Sequence, residues 1–376
     1  MQVKMKLGRY LLQDESGPLF IGEIGTAHGG NINKAYELID ALKESGAHFA
    51  KFQHVIADEI IHPKTGLVSL PGGDTPLYSV FKSLEKGPDF FADLKEYCQK
   101  KDISFLCTPF GPKSASDLRR IGVDAVKVAS PELNHFQLLK QLDSYGLPLI
   151  LSTGVSMLSD IEHALAVLSK KPVLLHCITS YPAPEEEYNI RLVQLLSGIF
   201  GCFTGISDHS KHPYLVPALA ALYGGKIIEK HITLRNSDKG LDDAIALTPE
   251  RFREMVDTVD AVMESGFQIG LEQMETEFGA GRIRAVLGDG VKKLAGSEIG
   301  NYGRTNRSVH ALFAIKKGDT ITADNIAVLR TEKKLRPGLP PDFIDFITGS
   351  TAVRDIREGE GIVLEDILSR NETEIL

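Results

Sequence analysis

The sequence of 376 residues predicts an α/β protein in which a (β/α)₈ barrel is followed by a small β-rich domain. Eight short hydrophobic runs alternate with helix-like stretches, a pattern that predicts βα units and a parallel sheet. Eight such units within about 210 residues fit a closed barrel, which typically needs roughly 250 residues. The composition then changes after Gly266, ahead of an internal repeat. The runs are Leu19–Gly25, Phe49–Val55, Ile103–Phe110, Ala125–Ser130, Pro148–Gly154, Pro172–Thr179, Cys202–His209 and Ile227–Leu234.

Helix signals separate these runs. The stretch Asn33–Gly46 begins with a capping residue and ends in glycine, whereas Pro88–Lys101 and Pro249–Ser265 begin with proline in the first turn. A longer segment, residues 56–87, interrupts the rhythm after the second run. We expect it to overhang the barrel opening, either as a lid or as a simple insertion, because long loops in compact domains are usually functional or carry short elements of their own.

The predicted domains are a barrel over residues 1–265, a glycine-rich linker arm over 266–305 and the small domain over 306–376. Within the small domain a pattern of isoleucines and glycines recurs 41 residues later. The paired positions are Ile315 and Ile356, Gly318 and Gly359, Ile321 and Ile362, and Ile326 and Ile367. This repeat predicts a compact pseudo-symmetric β domain of about 65 residues, whose small core makes docking on another surface plausible.

Composition and charge exclude several classes of protein. A formal charge of −8 argues against nucleic acids and anionic membranes as partners. The sequence has neither a signal-like apolar N-terminus nor an 18-residue apolar run, so we expect no membrane span and a cytoplasmic protein. The four cysteines lack C-x-x-C spacing and are predicted to be buried, reduced thiols.

Polar residues cluster where the predicted strands end, which is where barrel enzymes carry their chemistry. His209 and His231 end neighbouring strands and could bind a divalent metal with open positions, or could simply be satisfied by neighbouring strand ends. Lys51 and Lys127 could cradle a phosphate-bearing anion, form a Schiff base with a carbonyl substrate, or be surface charges. Glu132 could take a proton or activate water, or be a salt-bridge partner. The strand-end residues are Glu23, Lys51, Gln53, Thr108, Lys127, Ser130, Glu132, Ser152, Ser207, Asp208, His209, Glu229 and His231.

Nine short motifs occur in an order that resembles the sialic acid synthase family. This family comprises the N-acetylneuraminate, pseudaminate and legionaminate synthases and their spore-coat polysaccharide relatives. The likeness spans about residues 17–265, and the C-terminal repeat resembles the antifreeze-like (SAF) domain of the same family. The motifs are Ile21–Gly25, Lys51–Gln53, Cys107–Phe110, Lys127–Glu132, Leu151–Gly154, Leu175–Cys177, Tyr181-Pro182, Ser207–His209 and Glu229–His231.

This resemblance implies a TIM barrel that condenses phosphoenolpyruvate with an N-acetylmannosamine-type aldose, giving a nine-carbon 2-keto-3-deoxy acid and phosphate. By matching position, His209 and His231 are expected to bind the metal, with Mn²⁺ favoured over Mg²⁺ or Co²⁺. The expected phosphoenolpyruvate contacts are Lys51, Thr108, Lys127, Ser130, Ser152 and Ser207. The expected sugar contacts are Glu23, Gln53, Tyr181 and Asp242, with Thr179 where some members carry Asn. Glu132 matches the carboxylate that handles water, and the expected catalytic group is Glu132, Glu23, Lys51 and Lys127.

The resemblance also implies a domain-swapped homodimer, in which the small domain of one subunit delivers an arginine to its partner's barrel. Arg330 is favoured for this role, with Arg336 as the competitor. Two other functions stay open: a Schiff-base aldolase or lyase acting on a related keto acid, and a non-catalytic sugar-binding relative. The aldose itself stays open between N-acetylmannosamine, its 6-phosphate and a diacetamido-trideoxyhexose.

Overall fold

A computed structural model describes residues 4–70, 73–238 and 240–368, without the side chains of Ser69 and Leu70. Residues 369–376, the predicted end of the small domain, lie outside the described residues. The strands are β1 Met5–Leu7, β2 Tyr10–Leu12, β3 Leu19–Gly25, β4 Phe49–His54, β5 Leu67–Leu70, β6 Gly73–Pro76, β7 Ser104–Pro109, β8 Val126–Val128, β9 Leu149–Ser152, β10 Val173–Cys177, β11 Thr204–Asp208, β12 Ile227–His231, β13 Arg307–Ala311 and β14 Ile326–Arg330.

The helices follow the predicted rhythm. They are α1 Ile32–Glu44, α2 Leu77–Leu84, α3 Pro88–Lys100, α4 Pro112–Ile121, α5 Phe136–Ser144, α6 Leu158–Ala166, α7 Arg191–Phe200, α8 Leu215–Leu222, α9 Pro249–Glu264, α10 Phe267–Phe278, α11 Ala280–Leu287, α12 Ile344–Ile347 and α13 Leu364–Ile367. The side chain of Asn31 caps α1 by accepting from the backbone N–H groups of Asn33 and Lys34. Among the described helices, none has the length and apolar character that crossing a membrane requires.

Eight parallel strands close into a barrel in chain order, from β3 and β4 through β7–β12 and back to β3. Every one of the eight predicted runs supplies one of these strands, so the predicted barrel is confirmed. All four cysteines are buried free thiols, also as predicted.

The barrel interior is an apolar layer below a polar layer. Side chains alternate along a strand, so residues two apart share the inner face. Ile21, Phe49 and Ile227 belong to a buried apolar cluster, and the residues two positions on are Glu23, Lys51 and Glu229. The antiparallel hairpin β1–β2 adds Leu7 and Leu12 to the same cluster, which closes the amino-terminal end of the barrel. The opposite end, where the polar side chains lie, is called the barrel mouth below.

The segment after β4 is an ordered insertion at the barrel mouth. It contains the hairpin β5–β6 and the helix α2, and it carries an apolar cluster of its own. Ile61 forms a parallel bridge with Arg330 of the C-terminal domain (residues 307–368), and the His62 ring lies 3.1 Å from the carbonyl of Leu312. Its contacts therefore run to the C-terminal domain, which holds it in place over the barrel.

The predicted linker arm is helical over its first half, contrary to the expectation of a glycine-rich linker. Helix α10 packs against α8 and α9, with Met274 buried beneath it. A Cβ on Gly270 would lie 2.8 Å from the carbonyl oxygen of Val262, so this glycine permits close packing. Gly279 (φ 82°) separates α10 from α11. Residues 288–306, called the connecting segment below, complete the path to the C-terminal domain.

The C-terminal domain realises the predicted repeat as structural pseudo-symmetry. All six repeat isoleucines are buried in one core. Ile315 and Ile356, which occupy equivalent positions, exchange backbone hydrogen bonds of 3.0 and 2.8 Å. Gly318 (φ 95°) and Gly359 (φ 83°) both adopt left-handed conformations in the two related turns. Two copies of one short pattern thus close a small core by pairing with each other.

Gly205 tests how tightly the barrel strands pack. A Cβ at this position of β11 would lie 2.1 Å from the backbone oxygen of Ile227 on β12, and backbone cannot move aside as a flexible side chain can. We expect Gly205→Ala to lower the free energy of unfolding by roughly 3 kcal/mol or more, by overpacking. The control is Gly198→Ala on the exposed face of α7, where a Cβ meets nothing within 4 Å. It should be neutral or stabilising by about 0.5–1 kcal/mol. Chemical denaturation measures both, and equal effects would contradict this packing.

A buried histidine makes the C-terminal domain acid-sensitive. The His310 ring bonds the carbonyl of Gly359 (2.8 Å) and the hydroxyl of Ser308 (2.9 Å), and burial lowers its pKa to about 4. The unfolded chain, with a histidine pKa of about 6.5, then binds more protons than the folded chain between pH 6.5 and 4, so stability is lost as the pH falls through this range. We expect His310→Gln to flatten the pH dependence of unfolding by up to about 1.4 kcal/mol per pH unit. The control His163→Gln, at an exposed position of α6, should keep the wild-type slope.

Candidate active site

Four buried charged side chains form the centre of the barrel mouth. This lysine–carboxylate cluster consists of Glu23, Lys51, Lys127 and Glu229, each at most 4 % exposed. Lys51 forms an ion pair with Glu23, and its Nζ lies 3.7 Å from Oε1 of Glu229. Lys127 Nζ lies 3.5 Å from the same oxygen. Glu229 is therefore shared by both lysines.

Strand register explains why these residues meet. Glu23 is paired with Lys51 between β3 and β4, and with His231 between β3 and β12. Ser207 is paired with Glu229 between β11 and β12, and its hydroxyl donates to Glu229 Oε1 at 2.9 Å. Because paired residues of parallel strands point to the same face, barrel closure alone brings together groups from both ends of the domain.

Hydroxyl and amide groups surround the cluster. Lys127 donates to the hydroxyl of Ser152 at 2.6 Å, and Lys51 Nζ lies 3.5 Å from that of Thr108. Gln53 donates to Glu23 Oε1 at 2.7 Å. The Ser130 hydroxyl accepts from the backbone N–H of Gly154 at 3.0 Å, which fixes the adjoining loop. The structure thus gathers most of the predicted phosphoenolpyruvate contacts around two buried ammonium groups.

The charges of the cluster depend on one another. Burial by itself raises the pKa of Glu229, but the ammonium groups of Lys127 and Lys51 and the Ser207 hydroxyl outweigh it and bring the pKa to about 2. Burial lowers the pKa of Lys51, yet the carboxylates of Glu229 and Glu23 raise it above its usual value. For Lys127 burial outweighs Glu229, so its pKa is lowered. Of the two lysines, Lys127 therefore loses its proton more readily.

His209 and His231 face each other beside the cluster, with ring centroids 5.5 Å apart. Tyr181 stacks on His209 at a centroid distance of 4.2 Å, and Asp242 Oδ2 lies 3.7 Å from Nδ1 of His231. His209 Nδ1 lies 2.8 Å from the carbonyl of Ile178, so it carries the proton and Nε2 is left as the electron-pair donor. The predicted sugar contacts Tyr181 and Asp242 thus lie beside the predicted metal ligands.

The donor set fits a divalent metal with open positions. Burial lowers the pKa of both His209 and His231, so the imidazoles are neutral, the form that binds metals. Among the described residues, no group of three or more His, Cys, Asp or Glu is arranged around a common metal position. The predicted ion would have the two neutral imidazoles as its protein ligands, with water and substrate at its other positions. The metal itself stays a prediction.

Glu132 forms salt bridges with two arginines that the sequence did not identify as its partners. Its Oε1 accepts from Arg307 Nε and Nη2 at 3.1 and 2.7 Å, and from Arg330 Nε and Nη2 at 3.2 and 2.8 Å. The side chains of Glu132 and Arg307 are fully buried. Within the described structure Glu132 Oε2 has no hydrogen-bond partner. The carboxylate expected to handle water thus also joins the barrel to the C-terminal domain.

Arg307 is the functional residue that the sequence analysis missed. Besides Glu132, it donates to the backbone carbonyls of Phe110 at 2.8 Å and of Glu59, both in loops at the barrel mouth. Its only sequence signal was a charge at the start of a short stretch of alternating polar and apolar residues, Arg307–Ala311. One guanidinium group therefore ties three barrel loops to the first strand of the C-terminal domain.

The two competing arginines are placed differently. Arg330 reaches Glu132 at the barrel mouth and lies over the ring of Phe110, 5.4 Å from its centroid. Arg336 instead pairs with Asp366 at 2.7 Å, within the C-terminal domain. In this single chain Arg330 contacts the barrel of its own chain, so the domain-swapped homodimer and the delivery of an arginine to a partner stay predictions.

Thr179 is held through its backbone, and its hydroxyl lies 4.0 Å from the thiol of Cys177. Its N–H donates to the carboxylate of Glu298 at 2.7 Å.

Asp208, at the end of β11, pairs with Lys230 of β12, and both side chains are 1 % exposed. Asp208 and Lys230 alternate along their strands with the inward-facing residues, so they point to the outer face of the barrel wall. The inward-facing residues are Ser207, His209, Glu229 and His231. The contacts of Asp208 and Lys230 fix the two strand ends that carry the histidines.

The sequence pattern of the NeuB family matches residues 38–268, and that of the SAF domain matches residues 306–368. The chain belongs to the NeuB family. The predicted family, and with it the prediction of an enzyme, is confirmed by relatives named as acid synthases.

Relatives of this NeuB-family chain match it over 75–98 % of its length. The spore coat polysaccharide biosynthesis protein SpsE of Bacillus subtilis is 35 % identical over 371 residues, 95 % of each chain. Its crystal structure has a TM-score of 0.81 and covers 98 % of this chain and 100 % of that one, at 32 % identity. The N,N′-diacetyllegionaminic acid synthase of Campylobacter jejuni is 30 % identical, over 91 % of this chain and 98 % of the relative. The N-acetylneuraminic acid synthetase of Leptospira borgpetersenii has a TM-score of 0.64 at 31 % identity and covers 75 % of this chain and 99 % of that one.

Arg307 should stabilise the contact between the barrel and the C-terminal domain more than Arg330 does. Arg307→Met removes a guanidinium group that serves Glu132 and several backbone carbonyls, so we expect the free energy of unfolding to fall by about 3–5 kcal/mol. The matched variant Arg330→Met leaves Arg307 on Glu132 and removes a side chain that is 13 % exposed, so its loss should be clearly smaller. Chemical denaturation of both variants makes the comparison. A larger loss for Arg330→Met would contradict the described contacts.

Proposed function

We propose that the protein condenses phosphoenolpyruvate with an N-acylated aldose, using a divalent metal, to give a 2-keto-3-deoxy acid and phosphate. The observation that carries this proposal is the pair of buried lysines, Lys51 and Lys127, that share the single carboxylate Glu229 beside two metal-competent histidines. The relatives named as legionaminic, pseudaminic and N-acetylneuraminic acid synthases support the reaction class. The aldose is specified only by its chemical class, an N-acylated sugar.

The cluster is suited to an anion that carries phosphate. Lys51 and Lys127 are point charges with rotatable donors, and the hydroxyls of Thr108, Ser152 and Ser207 lie next to them. An arriving phosphate would replace part of their interaction with Glu229. Such charge-assisted bonds are about twice as strong as neutral ones.

The charge count of the interior supports a metal cofactor. The two lysines are already balanced by Glu23 and Glu229, whereas phosphoenolpyruvate brings a phosphate dianion and a carboxylate. An ion held by His209 and His231 would offset this excess negative charge. When bound, a divalent metal supplies Lewis-acid polarisation of the aldehyde oxygen.

The chain's own residues would hold the aldose and direct its aldehyde to the enol carbon. Tyr181 and Asp242 border the histidines, and Glu23 accepts from Gln53 while paired with Lys51. Holding both substrates in register can contribute roughly 7–11 kcal/mol of the barrier. We assign the orientation of the water to Glu132, whose Oε2 is buried and has no hydrogen-bond partner among the described residues. The overall change joins carbon 3 of phosphoenolpyruvate to the aldehyde carbon, adds water at carbon 2 and releases phosphate.

One observation favours the Schiff-base aldolase as a second candidate. Burial lowers the pKa of Lys127, as expected for a lysine that attacks carbonyl groups. Its bond to Ser152 and its proximity to Glu229 favour an anion-binding role instead. Borohydride trapping separates the two functions, because only a Schiff base leaves the substrate on Lys127.

The test is phosphate release from phosphoenolpyruvate with a panel of N-acylated aldoses, with Mn²⁺ and with chelator. We expect release that requires both a particular aldose and the metal. Lys127→Met should reduce it about 10²–10³-fold, the range for losing one preorganised donor to developing charge. His209→Asn should abolish the response to metal, whereas the control His163→Asn, at an exposed position of α6, should leave it unchanged.

Three results would contradict the proposal. Borohydride trapping of Lys127 without a metal requirement would favour the aldolase. Aldose binding by calorimetry without phosphate release would favour a sugar-binding relative. Phosphate release that ignores every aldose would exclude condensation.

A further inference from the structure

The connecting segment carries a fully buried carboxylate that faces two loops of the barrel mouth. Glu298 has no exposed surface, although it lies in a stretch without regular secondary structure. Its Oε1 accepts from the backbone N–H groups of Val155 and Thr179, both at 2.7 Å. Its Oε2 accepts from the N–H of Ala295 at 3.3 Å. Burying a carboxylate is costly unless hydrogen bonds compensate it, and these three backbone donors do so.

The two loops bound by Glu298 carry predicted substrate contacts. The Val155 loop follows β9, which ends at Ser152, the partner of Lys127. The Thr179 loop follows β10 and leads to Tyr181, which stacks on His209. One carboxylate therefore links the phosphate side of the site to the sugar side.

The Val155 loop is strained, and the connecting segment holds it on both sides. Val155 has φ 42°, a conformation unfavourable for a β-branched residue, which persists only where surrounding contacts enforce it. Glu298 binds its N–H, Asn306 donates to its carbonyl at 3.0 Å, and Lys292 Nζ lies 3.4 Å from the carbonyl of Thr153. Three residues of the connecting segment thus fix one turn of three residues.

This turn is packed against the phosphate side of the site. The N–H of Gly154 donates to the hydroxyl of Ser130 at 3.0 Å. A Cβ at Gly154 would lie 2.2 Å from the hydroxyl of Thr179 and 2.9 Å from that of Ser130. Any rotation of the Val155 turn would therefore move Ser130 or Thr179.

We propose that Glu298 is a positioning residue that fixes the loops after β9 and β10, so that Ser130, Ser152 and Thr179 are held ready for phosphoenolpyruvate and the aldose. The inference rests on the proposed function, since it assigns a substrate-binding consequence to a residue outside the barrel. It predicts that losing this carboxylate weakens substrate binding, not merely the stability of the fold.

The experiment compares variants of Glu298 in the full chain. Glu298→Ala should raise KM for phosphoenolpyruvate about tenfold, as expected when hydrogen bonds to a charged group are lost, with a smaller change in kcat. Glu298→Gln keeps one carbonyl oxygen that can accept from Val155 and Thr179, so it should restore KM to within about threefold of wild type. Glu298→Asp, which withdraws the carboxylate by one methylene group, should resemble Glu298→Ala.

Ser297→Ala is the matched control. Ser297 lies next to Glu298 and anchors the same segment, through its hydroxyl, to Glu187 at 2.6 Å. Glu187 belongs to the loop after β10 but lies eight positions beyond Thr179, in the turn that precedes α7. We expect this variant to lose stability but to keep both KM values. Thermal unfolding, run alongside, separates loss of folded protein from loss of affinity, because less folded protein lowers the maximal rate and leaves KM unchanged.

Wild-type KM values in a folded Glu298→Ala would overturn the inference. If Glu298→Ala does not fold, calorimetric titration of Glu298→Asp and Glu298→Gln with phosphoenolpyruvate decides, and equal wild-type affinities would likewise overturn it. Failure of the proposed function has a different signature, because the wild-type protein itself would then release no phosphate with any aldose.

Discussion

The two-residue alternation of side chains in a closed ring of eight parallel strands is the constraint on which the rest of the structure depends. It lets one strand bury Ile21 in the apolar layer and present Glu23 in the polar layer directly above. Closure then pairs Glu23 with Lys51 on one side and with His231 on the other, although more than 200 positions separate Glu23 and His231 in the chain. The hairpin β1–β2 completes the arrangement by adding Leu7 and Leu12 to the apolar layer at the opposite end. Chemistry on this scaffold is therefore decided by the last inward-facing positions of each strand.

Burying four charges at those positions costs free energy, and the interactions that offset this cost determine how the site is arranged. Desolvation of buried ions is repaid only when geometry and hydrogen bonds are favourable. Here Glu229 is shared by two lysines and a serine, and Glu23 by Lys51 and Gln53. The four charges of the lysine–carboxylate cluster therefore balance one another. Under the proposed function a strongly anionic substrate would need further positive charge, which a metal held by the neutral histidine pair would supply.

The sequence revealed these parts of the site because each is local. A polar residue at the end of an apolar run is visible in the sequence, and the fold places it at the mouth. The glycines after residue 265 were harder to interpret, because Gly270 allows close helix packing and Gly279 separates two helices, yet composition alone suggests flexibility. Arg307 and Glu298 act through contacts with loops more than 100 residues away, and no pattern around either one encodes such a partner. Local periodicity could predict the barrel and its central residues, whereas the contacts that close the site depend on tertiary packing.

The contacts that Glu298 and Arg307 make with loops of the barrel mouth have one physical cause. Loops at a barrel mouth lack the hydrogen-bond ladders that fix strands, so their backbone groups need partners from elsewhere. Glu298 and Arg307, nine positions apart, provide them with opposite charges: the carboxylate binds N–H groups after β9 and β10, and the guanidinium binds carbonyls after β4 and β7. Arg307 then meets Glu132 after β8, so loops after five of the eight strands are held by one short stretch of chain. A segment that also leads into the C-terminal domain can couple the position of that domain to the geometry of the barrel mouth. The C-terminal domain is thus joined to the barrel through the residues that order this mouth, and under the proposed function a small domain with a core of its own would influence catalysis.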